Sequence, residues 1–110
     1  METNTGYIKA ISNLGKSEDG SYFETQNYAL TESHEPGSTF KLMDLIALID
    51  DKKADTSSVY NSNGGIVTIQ GRPVKDSNHH GYGIASLAKG FEVSSNTILV
   101  QATYQAYKNN

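Results

Sequence analysis

The amino-acid sequence predicts an α+β fold, and three observations support this. Residues 38–51 follow a Pro-Gly break and are largely apolar, which is typical of a loop leading into a buried helix. Residues 64–75 contain two short β-type segments bounded by glycines, the pattern of an antiparallel hairpin. Residues 86–108 have helical periodicity interrupted by one polar stretch. Helices and antiparallel strands in separate segments favour the α+β class.

The N-terminal part of the chain is predicted to be extended. Gly6 to Leu14 shows a rough alternation of apolar and polar residues, so we expect a strand there. Residues 15–20 are polar and begin and end with glycine, which is typical of a turn. Residues 22–30 are then expected to return along the first strand.

The helix at 38–51 is apolar on most faces and is therefore predicted to be buried. The elements after it are predicted to be a polar connection at 52–58, a hairpin at 64–75, a loop at 76–83, and helices at 86–91 and 97–108, separated by a loop at Ser94.

The Pro-Gly break belongs to the motif with the clearest chemical meaning, residues 35–41 with the sequence EPGSTFK. Ser38 is predicted in the first helical turn, and Lys41, three positions later, on the same face. The helix dipole disfavours a lysine in the first turn, so helix stability does not explain this residue. A serine hydroxyl is a poor nucleophile until a neighbouring base takes its proton. We therefore interpret Ser38 as a nucleophile activated by the Lys41 amine.

The context of this motif matters, because Ser-x-x-Lys is expected by chance about once in a chain of this composition. A second copy, Ser86 to Lys89, lacks the Pro-Gly break and is interpreted as the start of an ordinary amphipathic helix. A second chemical signal, Ser94-Ser95-Asn96, comes 56 residues after Ser38 and between two helical segments. The spacing and position of the two motifs together carry the interpretation.

Each of these residues also has a purely structural alternative. Ser38 could be a helix N-cap, although a capping box would place Glu or Gln at position 41. Lys41 could be a solvated surface lysine, but its apolar neighbours within residues 40–43 favour burial. Ser94 and Asn96 could form a plain interhelical turn and cap. Asp76 is interpreted as a turn residue with no assigned role.

The combination of Ser-x-x-Lys and Ser-x-Asn resembles that of the penicillin-binding proteins and serine β-lactamases. Residues 35–41, together with QNYAL at 26–30, resemble the start of the active site in a class B penicillin-binding protein of the cell-division type. TGYIKA at 5–10 resembles the first sheet strand of that transpeptidase domain, and residues 86–107 resemble its second active-site element. The family's third motif, Lys-Thr-Gly, does not occur in the sequence.

This resemblance implies a fold in which helices pack on an antiparallel sheet, and a peptidoglycan DD-transpeptidase activity. Ser38 would form an acyl-enzyme with D-Ala-D-Ala stem peptides and would be acylated by β-lactam antibiotics, with Lys41 as its base. Ser94 would relay the proton to the leaving amine. Asn96 would hold the substrate's backbone carbonyl or the Lys41 amine. The backbone N–H of Ser38 would supply half of an oxyanion hole.

The resemblance also predicts the extent of the domain. Residues 1–110 are expected to be a partial transpeptidase domain, truncated at both ends and missing its C-terminal strands. Such a piece is expected to be inactive alone and to self-associate through unpaired strand edges and exposed apolar faces. Proteins of this type carry a membrane anchor upstream, so we expect an extracytoplasmic location, an anchor outside this chain, and cell-division proteins as partners.

Composition narrows the function further. The formal net charge of −3 gives no basic surface for nucleic acid. The chain contains no cysteine, so neither disulfides nor thiolate metal ligands occur. His79 and His80 are adjacent, but the only other histidine, His34, is distant in sequence, so we expect a polar loop here and no metal or cofactor.

Two other functions stay open. Ser-Thr-Phe-Lys also occurs in β-lactamases, but class A enzymes have aspartate where this chain has Ser95, and class D enzymes have valine where it has Asn96. The lead-in at 35–37 favours the transpeptidase. The other open function is that of a non-enzyme. It would be a β-lactam sensor, which is acylated but does not release the product, or a scaffold for division proteins. Fast deacylation would separate a β-lactamase from the other two.

Overall fold

The computed structural model describes residues 1–109, which form two compact units divided between Glu35 and Pro36. Helices and antiparallel strand pairs occur together, so the predicted α+β class is confirmed. The strands form three separate two-stranded pairs within residues 1–109, however, and not one continuous sheet. No helix in this described range combines the length and apolar character needed to cross a bilayer.

The N-terminal unit is a short hairpin followed by one helical turn. Strand β1, Leu14–Lys16, pairs antiparallel with β2, Tyr22–Glu24, and helix α1 spans Tyr28–Thr31. The connecting turn is held by the Asp19 carboxylate, which accepts a hydrogen bond of 2.9 Å from the Ser21 N–H.

The predicted strand at Gly6 to Leu14 is therefore wrong, since only its last residue lies in β1. The alternation over 6–14 was a local signal, whereas the turn chemistry around Asp19 sets the pairing further along the chain. The expected return segment at 22–30 is strand at its start and helix at its end.

The second unit begins with the predicted helix at 38–51. It starts as a 3₁₀ turn over Gly37–Phe40 and continues as helix α2, Lys41–Asp50. Gly37 has φ +58°, a left-handed conformation that favours glycine at this junction. The element is confirmed, but its predicted burial is wrong, because most of its apolar side chains stay partly exposed. Leu48 is fully buried, while four apolar side chains stay 43–52% exposed: Leu42, Met43, Ile46 and Ile49.

The strands of this unit form two antiparallel pairs. Strand β3, Val59–Asn61, pairs with β6, Ile84–Ser86. Strand β4, Ile66–Ile69, pairs with β5, Arg72–Lys75, around a two-residue turn with positive φ at both positions. This is the geometry of a type I′ hairpin turn, so the predicted hairpin is confirmed. The polar connection at 52–58 and the loop at 76–83 are also found as predicted.

Two helices close the unit, α3 over Leu87–Glu92 and α4 over Asn96–Tyr107, as the periodicity predicted. The Ser86 hydroxyl accepts a hydrogen bond of 3.1 Å from the Lys89 N–H. The second Ser-x-x-Lys copy is thus a helix N-cap.

The core of the second unit lies where α2, α3 and α4 meet, and its buried side chains are Leu48, Leu87, Ile98, Leu99 and Ala102. Each large side chain buried there contributes about 1.5–3 kcal/mol. A methyl group on Gly90 would lie 2.4 Å from Ile98 Cγ2, so α3 and α4 approach closely only because residue 90 is glycine.

Candidate active site

The two sequence motifs meet at Lys41 and Ser94. The Lys41 amine donates a hydrogen bond of 2.6 Å to the Ser94 carbonyl oxygen, and its Nζ lies 3.0 Å from the Ser94 hydroxyl oxygen. The residues are 53 positions apart, so the contact depends on the packing of α2 against the α3–α4 pair.

Ser94 is held in place by the C-terminus of α3. Its N–H bonds to Phe91 O at 3.0 Å, and the Ser95 N–H bonds to Gly90 O at 2.8 Å, which together form a Schellman motif. Ser94 occupies the left-handed position of this motif with φ +56°, where glycine is usual. A non-glycine residue there costs on the order of 1 kcal/mol. An unfavourable residue in direct contact with a lysine is a feature expected at functional sites.

Ser95, the middle residue of the motif, bonds to Asp76 and to the start of α4. It is fully buried and caps α4, because its hydroxyl accepts the Ile98 N–H at 3.1 Å. The same hydroxyl donates to the carboxylate of Asp76, with distances of 3.0 and 3.2 Å to the two oxygens. The interhelical cap, which was the structural alternative for Ser94 and Asn96, is thus formed by the residue between them, Ser95.

Asp76 is the residue that the sequence analysis missed. It is 3% exposed and also accepts hydrogen bonds from the Thr97 N–H at 3.0 Å and the Thr97 hydroxyl at 2.8 Å. Its partners lie 19 and 21 positions later in the chain, so no local pattern identifies it. The only sequence cue is an acidic residue directly after a β-hairpin.

Asn96 contacts the hairpin and does not contact the lysine. Its side-chain amide donates a hydrogen bond of 2.7 Å to Lys75 O. The predicted hydrogen bond between this amide and the Lys41 amine is therefore not formed. The other predicted partner, a substrate backbone carbonyl, stays a prediction. A cavity of about 290 Å³ opens beside the amide, lined by Lys41, Asp44, Val74, Asn96, Leu99, Val100 and Thr103.

Ser38 lies in the 3₁₀ turn that precedes α2, and its side chain is exposed. Within residues 1–109 its hydroxyl forms no hydrogen bond, including none to Lys41 or Ser94. Residues three positions apart on a helix have Cβ atoms about 5–6 Å apart, so Ser38 and Lys41 are neighbours one turn apart. As the second residue of the turn, Ser38 has a backbone N–H that lies among the unpaired donors of a helix start.

The electrostatics of Lys41 combine opposing effects. Partial burial lowers the pKa of the Lys41 amine, while the carboxylates of Asp76 and Asp44 oppose this shift, and burial prevails. Burial also raises the pKa of Asp44, against the effect of the lysine. Because the net effect lowers the pKa of Lys41, its amine is neutral more often than the amine of a free lysine.

The predicted reason for the burial of Lys41 was wrong. Its apolar neighbours Phe40, Leu42 and Met43 are 53%, 46% and 49% exposed. The lysine is half-buried, with its amine held against Ser94.

Residues 1–109 contain no group of three or more His, Cys, Asp or Glu side chains placed to hold a metal ion.

Comparison with known proteins identifies the family. The family model of the penicillin binding protein transpeptidase domain matches residues 1–109. The chain belongs to this family. No curated protein and no solved structure matches it. Penicillin-binding transpeptidases are enzymes of the acyltransferase and peptidase type, and the family binds β-lactams and peptidoglycan substrates. The α+β architecture described above agrees with a transpeptidase domain.

Proposed function

We propose that the protein is a serine DD-transpeptidase of the class B, cell-division type. It would form an acyl-enzyme at Ser38 with D-Ala-D-Ala stem peptides and would be acylated by β-lactams at the same residue. The observation that carries this proposal is the contact of the Lys41 amine with Ser94, with Ser38 three residues before Lys41 in the turn that begins the same helix.

The acylation step begins at Ser38. Its Oγ attacks the carbonyl carbon of the penultimate D-Ala, and the hydroxyl proton passes to the neutral Lys41 amine. As the C–N bond breaks, the proton passes through the Ser94 hydroxyl to the leaving D-Ala nitrogen. The amine of a second stem peptide then attacks the ester, forms the cross-link and releases Ser38.

The geometry supports this division of roles. A neutral lysine amine has one lone pair and two N–H bonds, so it can donate to the Ser94 carbonyl while its lone pair receives a proton. The Ser94 hydroxyl at 3.0 Å from Nζ is within proton-transfer reach. Partial burial shifts the Lys41 pKa in the direction a base requires.

The substrate site would be the cavity beside Lys41 and Asn96. The NH₂ group of Asn96 has two N–H donors, of which one bonds to Lys75 O, so the other is left to donate to a substrate backbone carbonyl. The unpaired backbone N–H of Ser38 would contribute one donor to the oxyanion hole. Because cross-linking takes place on peptidoglycan, we place the protein outside the cytoplasm, with cell-division proteins as its partners.

The test is labelling of the full-length gene product with a fluorescent penicillin, followed by peptide mapping. Ser38→Ala should abolish the label. Ser86→Asn is the matched control, because it removes the other Ser-x-x-Lys hydroxyl and keeps a good N-cap. Label that survives Ser38→Ala, or maps to Ser86 or Ser94, would refute the assignment. A label lost within seconds would favour a β-lactamase.

A further inference from the structure

The buried Asp76 carboxylate ties the loop between α3 and α4 to the end of β5. It receives three donors, the hydroxyls of Ser95 and Thr97 and the Thr97 N–H. The side chain of Asn96 adds a second tie, to Lys75 O, one residue before Asp76. The loop is thus fastened to the hairpin at each of the three residues that follow Ser94.

The attachment of residues 95–97 to Asp76 and Lys75 affects the contact between Ser94 and Lys41. Ser94 is fixed on one side by the Schellman motif of α3. On its other side, the next residue, Ser95, is bound to Asp76. The Ser94 carbonyl and hydroxyl therefore point at Lys41 from a loop that is held at both ends.

We propose that Asp76 is a positioning residue for acylation, which holds Ser94 against the Lys41 amine by anchoring the loop at residues 95–97. This inference rests on the proposed function of Ser38 and Lys41. Asp76 does not touch the reacting atoms in this proposal, since its hydrogen bonds go to Ser95 and Thr97.

The charge of Asp76 adds a second, separable effect. The charged groups that act on Lys41 are the carboxylates of Asp76, after β5, and Asp44, on α2, and both raise the pKa of the amine. Neutralising Asp76 should therefore lower the Lys41 pKa further. The neutral amine of Lys41 would then persist to lower pH. In a plot of acylation rate against pH, the acidic limb should therefore move to lower pH.

Three variants separate anchoring from charge. Asp76→Ala removes both, and a displacement of the catalytic groups by about 1 Å lowers a rate on the order of 10²-fold. Asp76→Asn keeps one acceptor oxygen but no charge, so it should move the acidic limb and lose less of the rate than the alanine variant. Thr97→Val removes one donor and keeps the charge, so it should lower the rate without moving the limb.

Asp55→Asn is the matched control. Asp55 also accepts hydrogen bonds from a serine hydroxyl and two backbone N–H groups, but it does not act on Lys41. We expect a wild-type acylation rate and an unmoved limb for this variant.

The measurements are the penicillin acylation rate against pH, the melting temperature, and an NMR titration of the Lys41 side-chain nitrogen. A folded Asp76→Ala with the wild-type acylation rate, while Ser38→Ala abolishes labelling, overturns this inference and leaves the proposed function intact; a folded Asp76→Asn with an unchanged Lys41 pKa overturns the effect of charge. Absence of labelling at Ser38 in the wild type refutes the function instead, and the titration still reports on Asp76. If Asp76 variants fail to fold, a folded Thr97→Val with the wild-type rate overturns the inference.

Discussion

Ser94 offers the most discriminating test of the site. Its backbone conformation favours glycine, whereas the proposed proton relay requires its hydroxyl, so a glycine substitution should affect stability and activity in opposite directions. The residue adopts φ +56° at the left-handed position of the Schellman motif, and its hydroxyl lies 3.0 Å from the Lys41 amine. Ser94→Gly relieves the backbone and removes the hydroxyl. Ser94→Ala removes the same hydroxyl and keeps the unfavourable backbone.

The expected difference in stability follows from these two terms. A non-glycine residue in the left-handed region costs about 1–2 kcal/mol, which glycine avoids. Glycine loses about 0.5–1 kcal/mol more than alanine through the entropy of the unfolded chain. Both variants lose the hydroxyl contact equally. The glycine variant should therefore be about 0–1.5 kcal/mol more stable than the alanine variant.

The activity should show no such difference. If the Ser94 hydroxyl relays the proton, both variants should lose about 10²–10⁴-fold in acylation rate, the usual contribution of a positioned proton-transfer group. Urea unfolding measures the stability, and stopped-flow mixing with a fluorescent penicillin measures the rate. A Ser94→Gly protein that acylates at the wild-type rate would refute the relay, whatever its stability.

Four further outcomes are expected. Lys41→Arg should lower the acylation rate nearly as much as Lys41→Ala, because arginine keeps the charge but cannot act as a base; an active arginine variant would leave Lys41 as a fixed charge only. The wild-type acylation rate should fall as the pH drops through the Lys41 pKa, with a midpoint below the ordinary lysine value of 10.5, and a higher midpoint would contradict the effect of burial. Gly90→Ala should lower the free energy of unfolding by about 1–3 kcal/mol, because its methyl group would meet Ile98 at 2.4 Å; an unchanged melting curve would show that α3 and α4 can separate freely. The 110-residue chain should self-associate through the exposed face of α2, and Ile46→Glu should reduce this in light scattering, whereas Glu92→Gln, on α3, should not.

The sequence predicted those parts of the fold whose signals are local. The helices α2, α3 and α4 have clear periodicity or cap residues, and their bounds agree with the structure to within three residues. The hairpin β4–β5 was found because glycine and a short connection favour a type I′ turn.

Elements that depend on distant partners could not be predicted in this way. Strands β3 and β6 have three residues each, too few to show a period of two, and they are defined by each other across the chain. The burial of α2 was overestimated, because apolar composition does not tell which faces a helix shares with its neighbours.

The same distinction applies to the site. Ser38, Lys41, Ser94 and Asn96 were identified from short motifs, and the structure brings Lys41 to Ser94 and places Asn96 on the same cavity. Their catalytic roles stay predictions. Asp76 was missed because a carboxylate becomes informative only when its buried donors are known.

Ser94 shows why a conflict between residue and backbone is informative at such a site. Natural sequences are mostly consistent, so that local preference, capping and packing agree. At the end of α3 the backbone favours glycine, yet the chain has a serine, and that serine contacts the half-buried lysine. Helix capping alone does not require the side chain, because the motif's hydrogen bonds are made by backbone atoms. Lys52 occupies the same left-handed position at the end of α2, so it is the contact with Lys41, added to the backbone cost, that points to the Ser94 hydroxyl. The comparison of Ser94→Gly with Ser94→Ala measures the backbone cost and the contribution of the hydroxyl separately.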